Sequence, residues 1–103
     1  MQSMVSCIQG TLVRARGHVN AFNVAEFEAE IMQAVRSDTD TILIDMSQVE
    51  SLDSSGLMVL VSSLTQAQRM NKRLTLCAIP HTVKIIFELT QLDRVFEILP
   101  AVA

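Results

Sequence analysis

Asp53, Ser54 and Ser55, with Gly56 directly behind them, are the residues of this chain best placed to receive chemistry. They lie between a β-branched apolar run, Thr41 to Ile44, and a segment in which Leu57, Leu60, Val61, Leu64 and Ala67 recur at helical spacing. The run has the length of a strand buried on both faces. Short oxygen-bearing side chains at the start of the following helix supply acceptors for its first free N–H groups, and Gly56 permits close approach by another backbone. The stretch from Asp45 to Leu57 therefore predicts a strand end, a tight turn and a hydroxyl-rich helix start. There the free N–H groups and the helix dipole, about half a positive charge, favour an anion. A phosphate on one of the hydroxyls would be tolerated and would add about −1.5 to −2 charges beside Asp53, changing the surface a partner meets. The same four residues also serve plain capping and turn formation, and this reasoning does not separate Ser54 from Ser55.

The elements that position these residues come from a chain of 103 residues, the length of one domain. With 50% hydrophobic and 18% charged residues, four Phe and no Trp or Tyr, it predicts an aliphatic core filled out by Met and Phe, and excludes disorder. Net charge is −3, and the only basic cluster, Arg69, Lys72 and Arg73, falls at the end of a predicted helix, where cations complement the dipole. Nucleic-acid binding is not expected. Met1 to Cys7 lacks the basic region of a secretory signal, and no apolar run reaches membrane-spanning length. Cys7 and Cys77 each fall in a predicted strand, without metal-ligand spacing, which fits buried reduced thiols in a cytosolic protein with no metal and no cofactor.

In chain order, Val5 to Gln9 and Thr11 to Arg16 predict a hairpin turned at Gly10, the second strand alternating weakly as an outer strand does. Gly17-His18-Val19-Asn20 leaves that strand. Asn23 and Glu26 have the spacing of a capping box, opening a helix with the apolar face Val24, Phe27, Ile31, Ala34 and Val35 and a polar stop at Ser37 to Asp40. A second helix is expected from Ser54 to Met70, ending at Asn71, which tolerates the left-handed conformation. Met58, one position off its buried face, is expected half exposed beside Ser54, either as an adaptable apolar contact or as a filler at the core edge. Leu74 to Ile79 predicts a strand, Pro80 the first turn of a helix through Val83, Ile86, Phe87 and Leu89 to about Thr90, with His81 exposed, and Val95 to Leu99 a last strand closed by Pro100. This order implies an α/β fold with parallel strands, right-handed crossovers and an antiparallel hairpin at the start.

The places held by Asp45, Met46, Ser47, Val49, Leu52 and Asp53-Ser54-Ser55-Gly56-Leu57 resemble the signature of the STAS family, the bacterial anti-sigma factor antagonists. The resemblance continues through Cys77-Ala78-Ile79-Pro80 and Val83 to Phe87 as far as Leu92. It implies one STAS domain over residues 1–103, with a mixed sheet of four to five strands and three to four helices. It also implies a binding switch whose unphosphorylated form holds an anti-sigma factor or related serine kinase and is released when Ser54, the serine directly after the Asp, is phosphorylated. A metal-dependent serine phosphatase would reset it. The chemistry would belong to the partners, so this chain is not expected to be an enzyme. The implied partner surface is Asp53, Ser54, Ser55, Gly56 and Met58, with His18 and Asn20 from the loop that in the family usually reads Gly-Glu-Leu-Asp. Here both acidic places are non-acidic, and Met58, Asn71 and Gln91 stand where family members often have Gly.

Two other readings belong beside this one. The resemblance also admits a STAS regulatory or structural subunit of a transporter complex. An enzyme with Ser54 as nucleophile and His18 or His81 as base would need features the sequence lacks: a Gly-x-Ser-x-Gly elbow, a Gly-rich phosphate loop or a metal-ligand cluster. The expectation is a cytoplasmic protein without nucleic-acid binding or membrane insertion, of open oligomeric state.

Overall fold

The structure is a computed structural model that describes residues 10–100. Among these residues four strands form one sheet in the order β1-β2-β3-β4, every neighbouring pair parallel. The strands are β1 (Gly10–Val19), β2 (Thr41–Leu52), β3 (Arg73–Cys77) and β4 (Glu97–Leu99). Helices α1 (Val24–Arg36), α2 (Ser54–Arg69) and α3 (His81–Leu89) make the crossovers, and a 3-10 turn at Leu92–Arg94 leads into β4. Parallel neighbours require such crossovers, so the order of elements leaves little topological choice. The first strand of the expected hairpin, Val5 to Gln9, and Cys7 with it, lie outside the described residues. Gly10 is the first residue of β1.

Ile42, Leu43 and Ile44 are all buried, as expected of a strand covered on both faces. Phe27, Ile31, Ala34 and Val35 of α1 close over the sheet, and α1 packs against α2. The buried face of α2 is Gly56, Val59, Leu60, Ser63, Leu64 and Ala67. Val61, expected inside, is exposed, and Val59 takes its place: the face turns by about one residue because α2 packs on α1 as well as on the sheet. Phe87 of α3 meets Phe96 edge-to-face, with centroids 5.8 Å apart, and this pair anchors the short β4.

Several boundaries differ from expectation. β3 stops at Cys77, and Ala78 takes φ +57°, a left-handed kink that ends the strand two residues before Ile79. Pro80 is the N-cap of α3 and not a residue of its first turn. The last strand begins at Glu97; Val95 belongs to the preceding turn and is half exposed. Asn71 does adopt φ +58° just after α2, and Gln91 adopts φ +62° just after the C-cap of α3, so both helices are followed by a left-handed residue that is not glycine.

The basic cluster also has partners of its own. Lys72 Nζ donates to the Ser37 carbonyl, and Arg73 forms a two-bonded pair with the Glu97 carboxylate across β3 and β4. Only Arg69 of the three lies in the last turn of α2. No helix among the described residues is long and apolar enough to cross a membrane.

Candidate functional site

β2 runs seven residues beyond its pairing with β3, from Met46 to Leu52, with β1 as its paired neighbour. Along this part the register shifts twice, and each time β2 carries one more residue than β1: Arg14 and Arg16 face Asp45 and Gln48, then Gly17 and His18 face Val49 and Ser51. These are β-bulges. Asp45 Oδ1 accepts from Ser47 N–H at 2.9 Å, satisfying a backbone donor inside the first bulge. Asp45 Oδ2 also lies 3.5 Å from Arg14 Nε. At the second, Gly17 takes φ +65°, a conformation that would strain a side chain. The expected tight turn after Asp45 is thus bulged strand, and Gly17 to Val19 remain in β1 instead of leaving it.

This ribbon delivers two chain segments to one place. Asp53 N–H donates to the Val19 carbonyl at 3.1 Å, binding the start of α2 to the end of β1. Asp53 is the N-cap of α2 and its Oδ1 accepts from Gly56 N–H at 3.2 Å. Ser54, the first residue of the helix, is exposed, and Ser55 is half-buried. Met58 lies one turn on with 72% of its surface exposed, a fuller presentation than its spacing suggested. Gly56 is buried, and a Cβ there would stand 2.4 Å from Leu52 Cδ1 and 3.0 Å from Val19 Cγ1. What approaches Gly56 is therefore side chains of both strands and not another backbone.

The end of β1 and the β1–α1 loop form the other half. His18 is the register partner of Ser51, and its Nδ1 lies 2.6 Å from Ser51 Oγ. Its Nε2 is 3.9 Å from Glu50 Oε1. The imidazole is therefore engaged by β2, and among the described residues neither His18 nor His81 hydrogen-bonds Ser54, as a nucleophile and its base would. Asn20 is spent inside the loop: its N–H donates to Asn23 Oδ1, its Oδ1 accepts from Phe22 N–H, and its carbonyl accepts from Asn23 and Val24 N–H. Asn23 Nδ2 in turn donates to the His18 carbonyl at 2.6 Å. The expected capping box is not formed, because the Asn23 side chain faces back into the loop and makes no cap bond to α1.

Sequence reasoning missed two features here. Ser51, bonded to His18, lies in a stretch whose residue types read as a turn, which hides its cross-strand partner. Phe22, 99% exposed, falls outside the helical period of Val24, Phe27 and Ile31, and that departure was its one available signal. A cleft of about 970 Å³ runs between β1 and α1 and is lined by neither Ser54 nor Met58. Among the described residues no group of three His, Cys, Asp or Glu is placed to hold a metal. Cys77 is buried, and burial, with a smaller effect from the charge of Asp45, raises its thiol pKa.

A family model, the STAS domain, matches residues 3–103. The chain belongs to the STAS family. A protein of Bordetella bronchiseptica named as an anti-sigma factor antagonist, BtrV, is 24% identical to this STAS chain over 92% of its length and 76% of the relative's. Among solved structures, a protein from Thermotoga maritima described as an anti-sigma factor antagonist has a TM-score of 0.80 at 24% identity, over 88% of this chain and 79% of that one. The anti-sigma factor antagonist SpoIIAA of Bacillus is similar in both its forms. Its unphosphorylated form has a TM-score of 0.76 at 21% identity, over 91% and 82% of the two chains. Its phosphorylated form has a TM-score of 0.71 at 19% identity, over 92% and 85%. These likenesses establish the STAS fold, with its parallel sheet and three helices.

Proposed function

We propose that this STAS domain is an anti-sigma factor antagonist, a phospho-switch that binds an anti-sigma factor or related serine kinase and is released when Ser54 is phosphorylated. The observation that carries the reading is the exposed Ser54 as first residue of a sixteen-residue helix already capped by Asp53. A hydroxyl there is open to a kinase, and the helix start accepts the resulting anion without refolding. The kinase would transfer the γ-phosphoryl of ATP to Ser54 Oγ, forming the O–P bond and releasing ADP and a proton. The new charge beside Asp53 then repels and sterically displaces the bound surface. A serine phosphatase would hydrolyse the ester and restore binding. On this reading Asp53, Ser54, Ser55, Met58 and His18 face the partner, Gly56 and Asn20 hold the two segments in shape, and the protein acts in the cytoplasm without catalytic activity of its own.

The test is to recover the protein with its bound partners from its native cells, identify the kinase and purify it, then follow phosphate incorporation from ATP. Incorporation into the parent and not into Ser54→Ala supports the reading. Incorporation into Ser54→Ala at the parental rate moves the site to Ser55 and overturns the assignment. Recovery of membrane transport subunits, with no kinase, favours the transporter-subunit reading.

A further inference from the structure

The loop between β1 and α1 holds an apolar side chain in water at fixed position. Phe22 occupies the residue just before the N-cap of α1, where an apolar side chain often folds back onto the fourth helical residue. That residue is Phe27, which is buried, yet Phe22 stays 99% exposed. The backbone that carries it is clasped on both sides by Asn20 and Asn23, whose side chains bond Phe22 N–H, Asn20 N–H and the His18 carbonyl. The strand end from which this loop leaves is bound to the start of α2 through Asp53 N–H and the Val19 carbonyl.

From this geometry we infer that Phe22 is the apolar anchor by which the partner at the Ser54 face is recognised, and that this partner is a protein presenting an uncharged apolar socket. The inference rests on the reading of Ser54 as the switch and names the chemistry of its partner. Asn20 to Asn23 carry no charge; His18, near the end of β1, is turned toward Ser51 and Glu50 of β2, and the Asp53 carboxylate is taken up in capping α2. A Lys or Arg of the partner set over the Phe22 ring would gain only the weak attraction of a cation for an exposed aromatic face, whereas an apolar socket gains burial of the whole ring. Since the clasp fixes the loop beforehand, little ordering cost is left for binding. Met58 is a second exposed apolar side chain, one turn beyond Ser54 on α2. Phosphorylation of Ser54 would then act on a docking surface that depends on excluding water.

The experiment compares parent, Phe22→Ala and Phe22→Leu for equilibrium binding to the purified kinase that phosphorylates Ser54. Phe22 buries nothing in the free protein, so all three should unfold at the same temperature. Phe22→Ala should weaken binding about ten- to a hundredfold, with Phe22→Leu between, as for a buried aromatic hot spot. Raising salt from about 50 to about 500 mM should change the parent's affinity less than about threefold, since ionic docking would be screened over that range. Equal affinity of parent and Phe22→Ala overturns the inference while leaving the Ser54 switch intact. So does a tenfold or greater salt-induced loss. Failure of the parent itself to bind any kinase sinks the underlying switch reading instead. Sedimentation showing that the parent self-associates and Phe22→Ala does not would make the occupant a second copy, also overturning the inference.

Discussion

The N–H of Asp53, which caps α2, is hydrogen-bonded to the carbonyl of Val19, the last residue of β1, at 3.1 Å. One residue thus fixes the helix start with its side chain and the two site segments with its backbone. Asp53→Ala should lose the cap and about 1 kcal/mol of stability while keeping the backbone bond. Urea unfolding would measure the loss, and a stability equal to the parent's would show that the cap contributes nothing.

Ser54 stands at the same helix start without being buried. Ser54→Ala and Ser54→Asp should each change stability by no more than about 1 kcal/mol. Their binding should diverge. The alanine variant should hold the kinase without release by ATP, and the aspartate variant should bind more weakly, though less so than a phosphate would cause, since a carboxylate carries less charge. Calorimetric titration of the two against one kinase preparation decides between them.

Gly56 has no room for a side chain. The atom 2.4 Å from its missing Cβ is the end of the Leu52 side chain, which can rotate, while Val19 Cγ1 stands behind at 3.0 Å. Gly56→Ala should cost about 1–2 kcal/mol after its gain in helix propensity, and Gly56→Val should cost more, by crowding both strands. A Gly56→Val protein unfolding at the parental urea concentration would contradict this packing.

Gln91 takes φ +62° at the turn after α3. Gln91→Gly should relieve that conformation and stabilise the domain by about 0.5–1 kcal/mol, net of the entropy glycine adds to the unfolded chain. A thermal midpoint lower than the parent's would count against it.

Glu97 accepts from Arg73 and from Thr75 Oγ1. The Arg73 hydrogen bond lowers its pKa most, burial opposes the shift, and Thr75 and the Arg73 charge add to it. Because the folded pKa lies below the unfolded one, the stabilisation is present above the ordinary glutamate value and is lost as pH falls through the lower folded value. With both partners well exposed the effect is small. Glu97→Gln should therefore flatten the acid limb of a stability–pH curve slightly and leave neutral pH the region of greatest difference from the parent.

Much of this was legible in the residues. The unbroken Ile42-Leu43-Ile44 run, the apolar stripe of α1 and the Asp-Ser-Ser-Gly helix start each announced themselves, since each obeys one period or one capping rule. The outer half of β2 did not. Its buried residues, Met46, Val49 and Leu52, fall three apart, because two bulges each insert a residue, and three is not the period of a strand. The asparagine clasp was also hidden. Asn23 followed by Glu26 reads as a cap, and only the folded loop reveals His18 and Asn20 as the groups its side chain serves.

Mechanically, the outer half of β2 is a cantilever. From Met46 on its paired neighbour is β1, and the rest of its hold is the burial of Met46, Val49 and Leu52. Force applied at Ser54 passes through Asp53 into β1 and then runs along the β1–β2 ladder as shear before it reaches β3. The bulges are the compliant joints of that path, and the His18–Ser51 bond is a strut across its far end. A tilt of the tip would be taken up at the joints, where the ladder is interrupted, and not in the Ile42–Ile44 segment, which is paired on both sides.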